Sequence, residues 1–150
     1  MLKETVCCFF GHHDIRDEIE DILRQQIRHL IANENIRKFY VGNHGPFDYM
    51  VYKALKEMKE EFPDIDFAVV LAYLPEHNAD EHYYFDYKDA IFPDGIEKVP
   101  HKFRIIWRNE WMLKKSDTVV CYVWHHIGGA GRMLEKAEKS KKRIVNLAKI

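Results

Sequence analysis

Between Thr118 and Glu135 the sequence changes character twice, and no other stretch narrows the possible folds as far. Thr118 to Val123 is rich in β-branched and aromatic residues, then come Gly128, Gly129 and Gly131, and then Met133, Leu134 and Ala137 fall at helical spacing. The pattern predicts strand, glycine turn, helix. Glycine at such a junction lets the backbone approach a ligand, and a helix start presents unpaired N–H groups at the positive end of its dipole, which suits a phosphate. Glycine at a strand-to-helix turn also serves simply to bend the chain, and Gly-Gly-x-Gly is neither the dinucleotide nor the P-loop fingerprint. Support for a phosphate has to come from other segments.

Those segments repeat the alternation. Thr5 to Phe10 is a continuous apolar run stopped by Gly11, as expected of a strand covered on both faces of a parallel sheet. Ile15, Ile19, Ile22, Leu23, Ile27, Leu30 and Ile31 form one stripe, which predicts a helix from an N-cap at Asp14, with Asp17 and Glu18 in its first turn, fading at Asn33 to Asn35. Arg37 to Val41 predicts a second strand, ended by Gly42. A second stripe through Phe47, Met50, Val51, Ala54, Leu55 and Met58 predicts a helix closing near Phe62 and Pro63. Asp66 to Leu74 is the most apolar strand candidate and is expected at the sheet centre. Residues 76–101 have no clean period; a connection of that length tends to be functional, and a short strand is expected near Gly95 to Val99. The aromatic residues Tyr83, Tyr84, Phe85 and Tyr87 within it suit either stacking on a base or a dimer seam. Lys102 to Lys115 reads as a helix and Arg143 to Leu147 as a last strand, with Lys136, Lys139, Lys141 and Lys142 between them complementing a helix C-terminus.

Strands alternating with helical stripes predict one α/β domain over residues 1–150, a three-layer sandwich around a mostly parallel sheet. Ligands of such sheets bind at the carboxyl ends of the strands, where the strand order reverses. Those ends carry Gly11-His12-His13, Gly42-Asn43-His44-Gly45, Leu74-Pro75 and His125 to Gly131, so a phosphate or a sugar edge suits the rim better than a greasy ligand. A formal net charge of −1 offers no basic field for nucleic acid or an anionic membrane. Three cysteines, Cys7, Cys8 and Cys121, lie inside apolar runs and read as buried thiols of a reducing, cytoplasmic protein rather than a disulfide framework. Met1 to Thr5 does not read as a secretion signal, and no apolar run approaches the roughly 18 residues that a membrane span needs. The pairs His12-His13 and His125-His126 diverge on extended backbone and are not supported by helical His-x-x-x-His or Cys-x-x-Cys spacing, so no metal and no cofactor are expected. Arg108, between Trp107 and Trp111, is either packed or a phosphate ligand, and Asp48 either caps its helix or meets a ribose hydroxyl.

Several segments carry a wider pattern: Cys7 to His12, Gly42 to Asp48, Leu71 to Pro75, Trp107 to Met112, Ser116 to Val120, Gly128 to Ala130 and Ile144 to Asn146. Taken in order, they resemble the SLOG superfamily, and within it the YpsA-like small single-domain proteins. The resemblance implies a Rossmann-like fold, often as a homodimer, with a pocket that binds or senses a nucleotide or nucleotide-derived small molecule. It implies no established reaction. On this view the ligand-binding residues are Gly11, His12, Gly42, Asn43, Asp48, Pro75, Arg108, Asn109, Gly128, Gly129, Ala130 and Gly131. The sequence departs from the pattern at His13, where arginine is common, and at Asn43-His44, where the wider family has Gly-Ala. A partial resemblance to the LOG-type phosphoribohydrolases implies an alternative, release of the free base from a nucleoside 5′-monophosphate with Arg108 and Glu135 as the catalytic pair. There Ile127 replaces a proline of the motif and Arg132 a threonine.

Overall fold

A computed structural model describes residues 5–74 and 84–149. Its sheet has six strands: β1 (Thr5–Gly11), β2 (Ile36–Val41), β3 (Asp66–Val70), β4 (Ala90–Ile91), β5 (Thr118–Tyr122) and β6 (Arg143–Asn146). They lie in the order β4-β3-β2-β1-β5-β6, and every pairing is parallel. The helices are α1 (Glu20–Glu34), α2 (Gly45–Glu61), α3 (Arg104–Lys115) and α4 (Gly128–Lys139). The result is a three-layer α/β sandwich with an all-parallel sheet.

Strand β1 shows why its sequence is apolar throughout. Successive side chains of a strand point to opposite faces. Cys7 and Phe9 pack into the core under α1 and α2, with Leu23, Ile27, Val51 and Leu55. Cys8 and Phe10 enter the other core with Met112, Leu113 and Met133 of α3 and α4. Both faces of β1 are therefore dry, and Cys7, Cys8 and Cys121 are all fully buried as free thiols. Strand order runs outward from β1 through β2, β3 and β4, then resumes on its other side with β5 and β6, which puts the reversal between β1 and β5.

Three expectations are corrected. The first helix begins at Glu20 with Ile19 as N-cap, not at Asp14. The residues before it are held by the end of β5 instead: the Tyr122 hydroxyl donates to Asp17 Oδ2 at 2.8 Å and accepts the Arg16 N–H at 3.0 Å, while Trp124 Nε1 donates to the Asp14 carbonyl at 3.0 Å. The apolar segment from Asp66 forms β3, which lies second from an edge; β1 and β2 hold the centre. Hydrophobicity reports cover on the two faces, which β3 has, and not rank across the sheet. The short strand in the long connection is Ala90–Ile91, whereas Gly95, at φ +91°, opens a single 3-10 turn over Ile96–Lys98. Tyr52 draws this segment in, because its hydroxyl accepts the Asp86 N–H at 3.0 Å and donates to Asp89 Oδ2 at 2.8 Å. Pro75 and Tyr83 lie outside the described residues. Among the described residues, no helix is long and apolar enough to cross a membrane.

Candidate functional site

A crevice of about 320 Å³ opens at the carboxyl end of β1, between the start of α2, α3 and the start of α4. Gly11, His12, His13, His44, Asp48, Arg108, Asn109, Gly129 and Ala130 give it polar and backbone walls, and Phe10, Ile105, Met112 and Met133 give it apolar ones. This is where strand order reverses, the place at which open α/β sheets leave room between diverging connections.

Arg108 projects from α3 and is only 2% exposed. Its Nη1 donates to the Val70 carbonyl at 2.7 Å and to Asn43 Oδ1 at 3.4 Å, its Nε to Asn109 Oδ1 at 2.8 Å, and its Nη2 to His44 Nδ1 at 3.3 Å. A guanidinium has five N–H groups, and these contacts use four. The remaining Nη2 proton has no partner among the described residues. Burial lowers the Arg108 pKa, opposed by the nearby Asp48 carboxylate. Arginine nevertheless stays charged, so a buried cation with a spare donor borders the crevice.

The turn after β2 is shaped around that cation. A Cβ at Gly42 would stand 2.8 Å from both Arg108 Nη1 and Asp48 Oδ2, so only glycine admits the two groups at once. Asp48 Oδ2 accepts the backbone N–H of His44, the N-cap of α2, at 3.0 Å; the carboxylate thus caps its own helix. Burial raises the Asp48 pKa, against the pull of Arg108 and the His44 N–H. His44 is pushed down to about 4 by burial, with the Arg108 charge adding to the effect. It is therefore neutral at pH 7, accepting from Arg108 through Nδ1 and carrying its proton on Nε2.

The glycines at the start of α4 divide into two kinds. Gly128 lies at φ +90°, and a Cβ on Gly128 or Gly129 would meet nothing within 4 Å. Their amides begin a helix beside open space, at the positive end of its dipole. Gly131 is different: its Cβ would stand 2.3 Å from the His126 carbonyl oxygen, so it serves the close approach of helix and loop. Gly11 likewise carries the ring of Phe47, whose Cγ would be 2.7 Å from an added Cβ.

His12 follows β1, its backbone N–H donating to the Tyr122 carbonyl at 3.0 Å and extending the β1–β5 pairing by one residue. Its ring Nε2 lies 2.9 Å from the His125 carbonyl oxygen.

The structure thus gathers Gly11, His12, Asp48, Arg108, Asn109, Gly129 and Ala130 around one crevice, with Gly42 and Asn43 directly behind the guanidinium. Glu135 is not among them. It is exposed, pairs with Lys139 at 3.0 Å, and lines a separate depression beside His125, His126 and Glu138. Pro75 lies outside the described residues. His13 and His44, which the sequence places at glycine-bearing strand ends but which were not among the expected ligand-binding residues, also line the crevice. Among the described residues no three His, Cys, Asp or Glu side chains gather as metal ligands.

Neither a protein-family model nor a curated protein sequence matches the chain. Among solved structures, the X-ray structure of DNA processing protein A (DprA) from Streptococcus pneumoniae is similar, with a TM-score of 0.65 and 14% sequence identity over 94% of this chain and 49% of that one. The chain therefore spans about half the length of that protein, and at this identity the likeness extends to the fold alone. In general architecture the protein is a Rossmann-like α/β sandwich, and that fold is what it shares with the solved structure.

Proposed function

We propose that the crevice at the β1–β5 reversal binds a nucleotide or nucleotide-derived small molecule. The observation that carries this reading is the unused N–H of the buried Arg108, in a cavity that also meets the first turn of α4. A buried donor left without a partner is costly, and an anion shared between the guanidinium and the α4 amides would satisfy it. The volume agrees: about 320 Å³ lies at the low end of the roughly 300–1,000 Å³ of small-molecule sites, suiting a mononucleotide more than a dinucleotide. Ile105, Met112 and Met133 offer the apolar surface on which a base would rest.

DNA, which the name of the similar protein brings to mind, fits less well. A formal net charge of −1 supplies no cationic track along which a polyanion would release counterions. The phosphoribohydrolase alternative gains nothing from the geometry, because Glu135 faces a different depression from Arg108.

Calorimetry on the folded protein with AMP, ADP, cyclic AMP, ADP-ribose and NAD tests the reading. Saturable one-site binding of a mononucleotide, weakened at least about tenfold by Asn109→Ala, which frees the guanidinium from its nearest side-chain anchor, is the expected result. Heatless titrations with all five, the circular dichroism spectrum remaining that of a folded α/β protein, would overturn it.

A further inference from the structure

His12 is 8% exposed, and its imidazole is held in one orientation. Nε2 lies 2.9 Å from the His125 carbonyl oxygen. A carbonyl oxygen only accepts, so Nε2 carries a proton. The ring lies flat against that of His125, with centroids 3.8 Å apart and planes 17° apart, and the edge of Trp124 closes its flank at 5.8 Å. His125 is fixed in turn, its Nδ1 accepting the Ile127 N–H at 3.1 Å. Burial lowers the His12 pKa, so the ring is neutral at pH 7 and its second nitrogen, Nδ1, bears a lone pair and no proton.

That lone pair has no donor among the described residues, although His12 is more than nine-tenths buried and lines the crevice with Arg108. A buried acceptor without a partner calls for an explanation. A proton-free oxyanion such as sulfate does not provide one, because its oxygens would meet Nδ1 lone pair to lone pair. A ligand that carries a hydroxyl or amino hydrogen near its anionic group does. Resting on the nucleotide-binding reading, we propose that His12 is a specificity-determining residue: its Nδ1 accepts a hydrogen bond from a hydroxyl or amino group of the ligand. The site accordingly selects organic phosphates bearing such a donor over a tetrahedral anion that has none, such as sulfate.

Two measurements on the full chain decide this. In the ligand-free protein at pH 7, long-range ¹H–¹⁵N NMR is expected to show His12 Nε2 as a protonated, pyrrole-type nitrogen and Nδ1 as an unprotonated, pyridine-type one. The opposite tautomer, or a doubly protonated ring, overturns the inference whatever the protein binds. In calorimetry, the wild type and His12→Phe are compared with sulfate, AMP, 2′-deoxy-AMP and IMP. The ratio of AMP to sulfate affinity is expected to fall at least about tenfold in the variant. Loss of affinity confined to 2′-deoxy-AMP assigns the donor to the ribose, and loss confined to IMP assigns it to the exocyclic amine. An unchanged AMP to sulfate ratio in His12→Phe overturns the role of His12 and leaves nucleotide binding standing. Absence of binding by the wild type to all four overturns both. Should His12→Phe fail to fold, the Nδ1 resonance of the wild type decides: saturating AMP must move it and saturating sulfate must not, and an unmoved resonance under AMP overturns the inference.

Discussion

Arg108 Nη1 lies so close to the α-carbon of Gly42 that a single added methyl group there would stand 2.8 Å from it, and equally close to Asp48 Oδ2. The turn after β2 and the helix α3 are thus fitted to each other through one absent side chain. Gly42→Ala is expected to push the guanidinium off the Val70 carbonyl, lowering stability by about 1–3 kcal/mol as overpacking does. It should also abolish mononucleotide binding. Urea denaturation followed by calorimetry checks both, and full stability with intact binding would show that the guanidinium yields without cost.

Gly129 and Gly131 are two positions apart and should respond in opposite ways. At Gly129 an added Cβ meets nothing, so Gly129→Ala is expected to leave stability unchanged or raise it by about 0.5–1 kcal/mol, as alanine does in a helix. The same methyl group intrudes on the mouth of the crevice and should weaken ligand binding. At Gly131 the obstacle is the backbone of His126, which does not move aside as a side chain tip would. Gly131→Ala is expected to cost about 3 kcal/mol or more. Thermal melting of the pair would contradict this if the two variants shifted alike.

The pH dependence of stability follows from His44. In the unfolded chain its imidazole takes up a proton near its ordinary 6.5, and in the folded protein only near 4, because burial and Arg108 oppose the charge. Between those values the unfolded state holds more protons, so stability fully present above pH 6.5 is lost as the pH falls through 4. The loss is on the order of 3 kcal/mol at most. Asp48, whose pKa is raised, contributes with the opposite sign over the carboxylate range. Comparing His44→Gln with the wild type isolates the histidine: chemical denaturation at pH 7 and pH 4.5 should show a smaller drop for the variant.

Tyr122→Phe removes a hydroxyl that joins Arg16 and Asp17 to β5. It leaves a backbone N–H and a carboxylate to find water, at a cost of about 1–2 kcal/mol. Faster hydrogen exchange at the Arg16 amide should accompany the loss, whereas helix α1 keeps its protection. Unchanged exchange there would mean that the segment before α1 is held by other contacts.

This hydroxyl also explains what the sequence hid. The stripe from Ile15 to Ile31 carries helical spacing throughout, yet the helix starts only at Glu20, because a residue over a hundred positions later captures the backbone at Arg16. Spacing reports local preference, and tertiary bonds override it at the ends of elements. By contrast the run from Thr5 to Phe10 was readable as a doubly covered strand, since its pattern arises from burial on two faces and from nothing distant. Arg108 lay in plain sight between Trp107 and Trp111, but its anchors at Val70, Asn43 and His44 come from other strand ends and leave no trace in local periodicity. For Glu135 the trace was there. At about 100° per residue it stands about 200° around α4 from Met133, which lines the crevice, so the two point to opposite sides of the helix.

The three cysteines have a practical consequence. Burial pushes the Cys8 thiol up to about 11 and that of Cys121 to about 12, and Cys7 well above its usual value. Only thiolates react readily with maleimides or aromatic disulfides, so these sulfurs stay chemically silent while the sheet is intact. Their modification rate is therefore a built-in clock for whole-molecule opening, ticking in two paired strands, one of which ends at the crevice. Any compound that fastens those strands together would slow it, which turns the protein's own sulfhydryls into a label-free screen for its ligand.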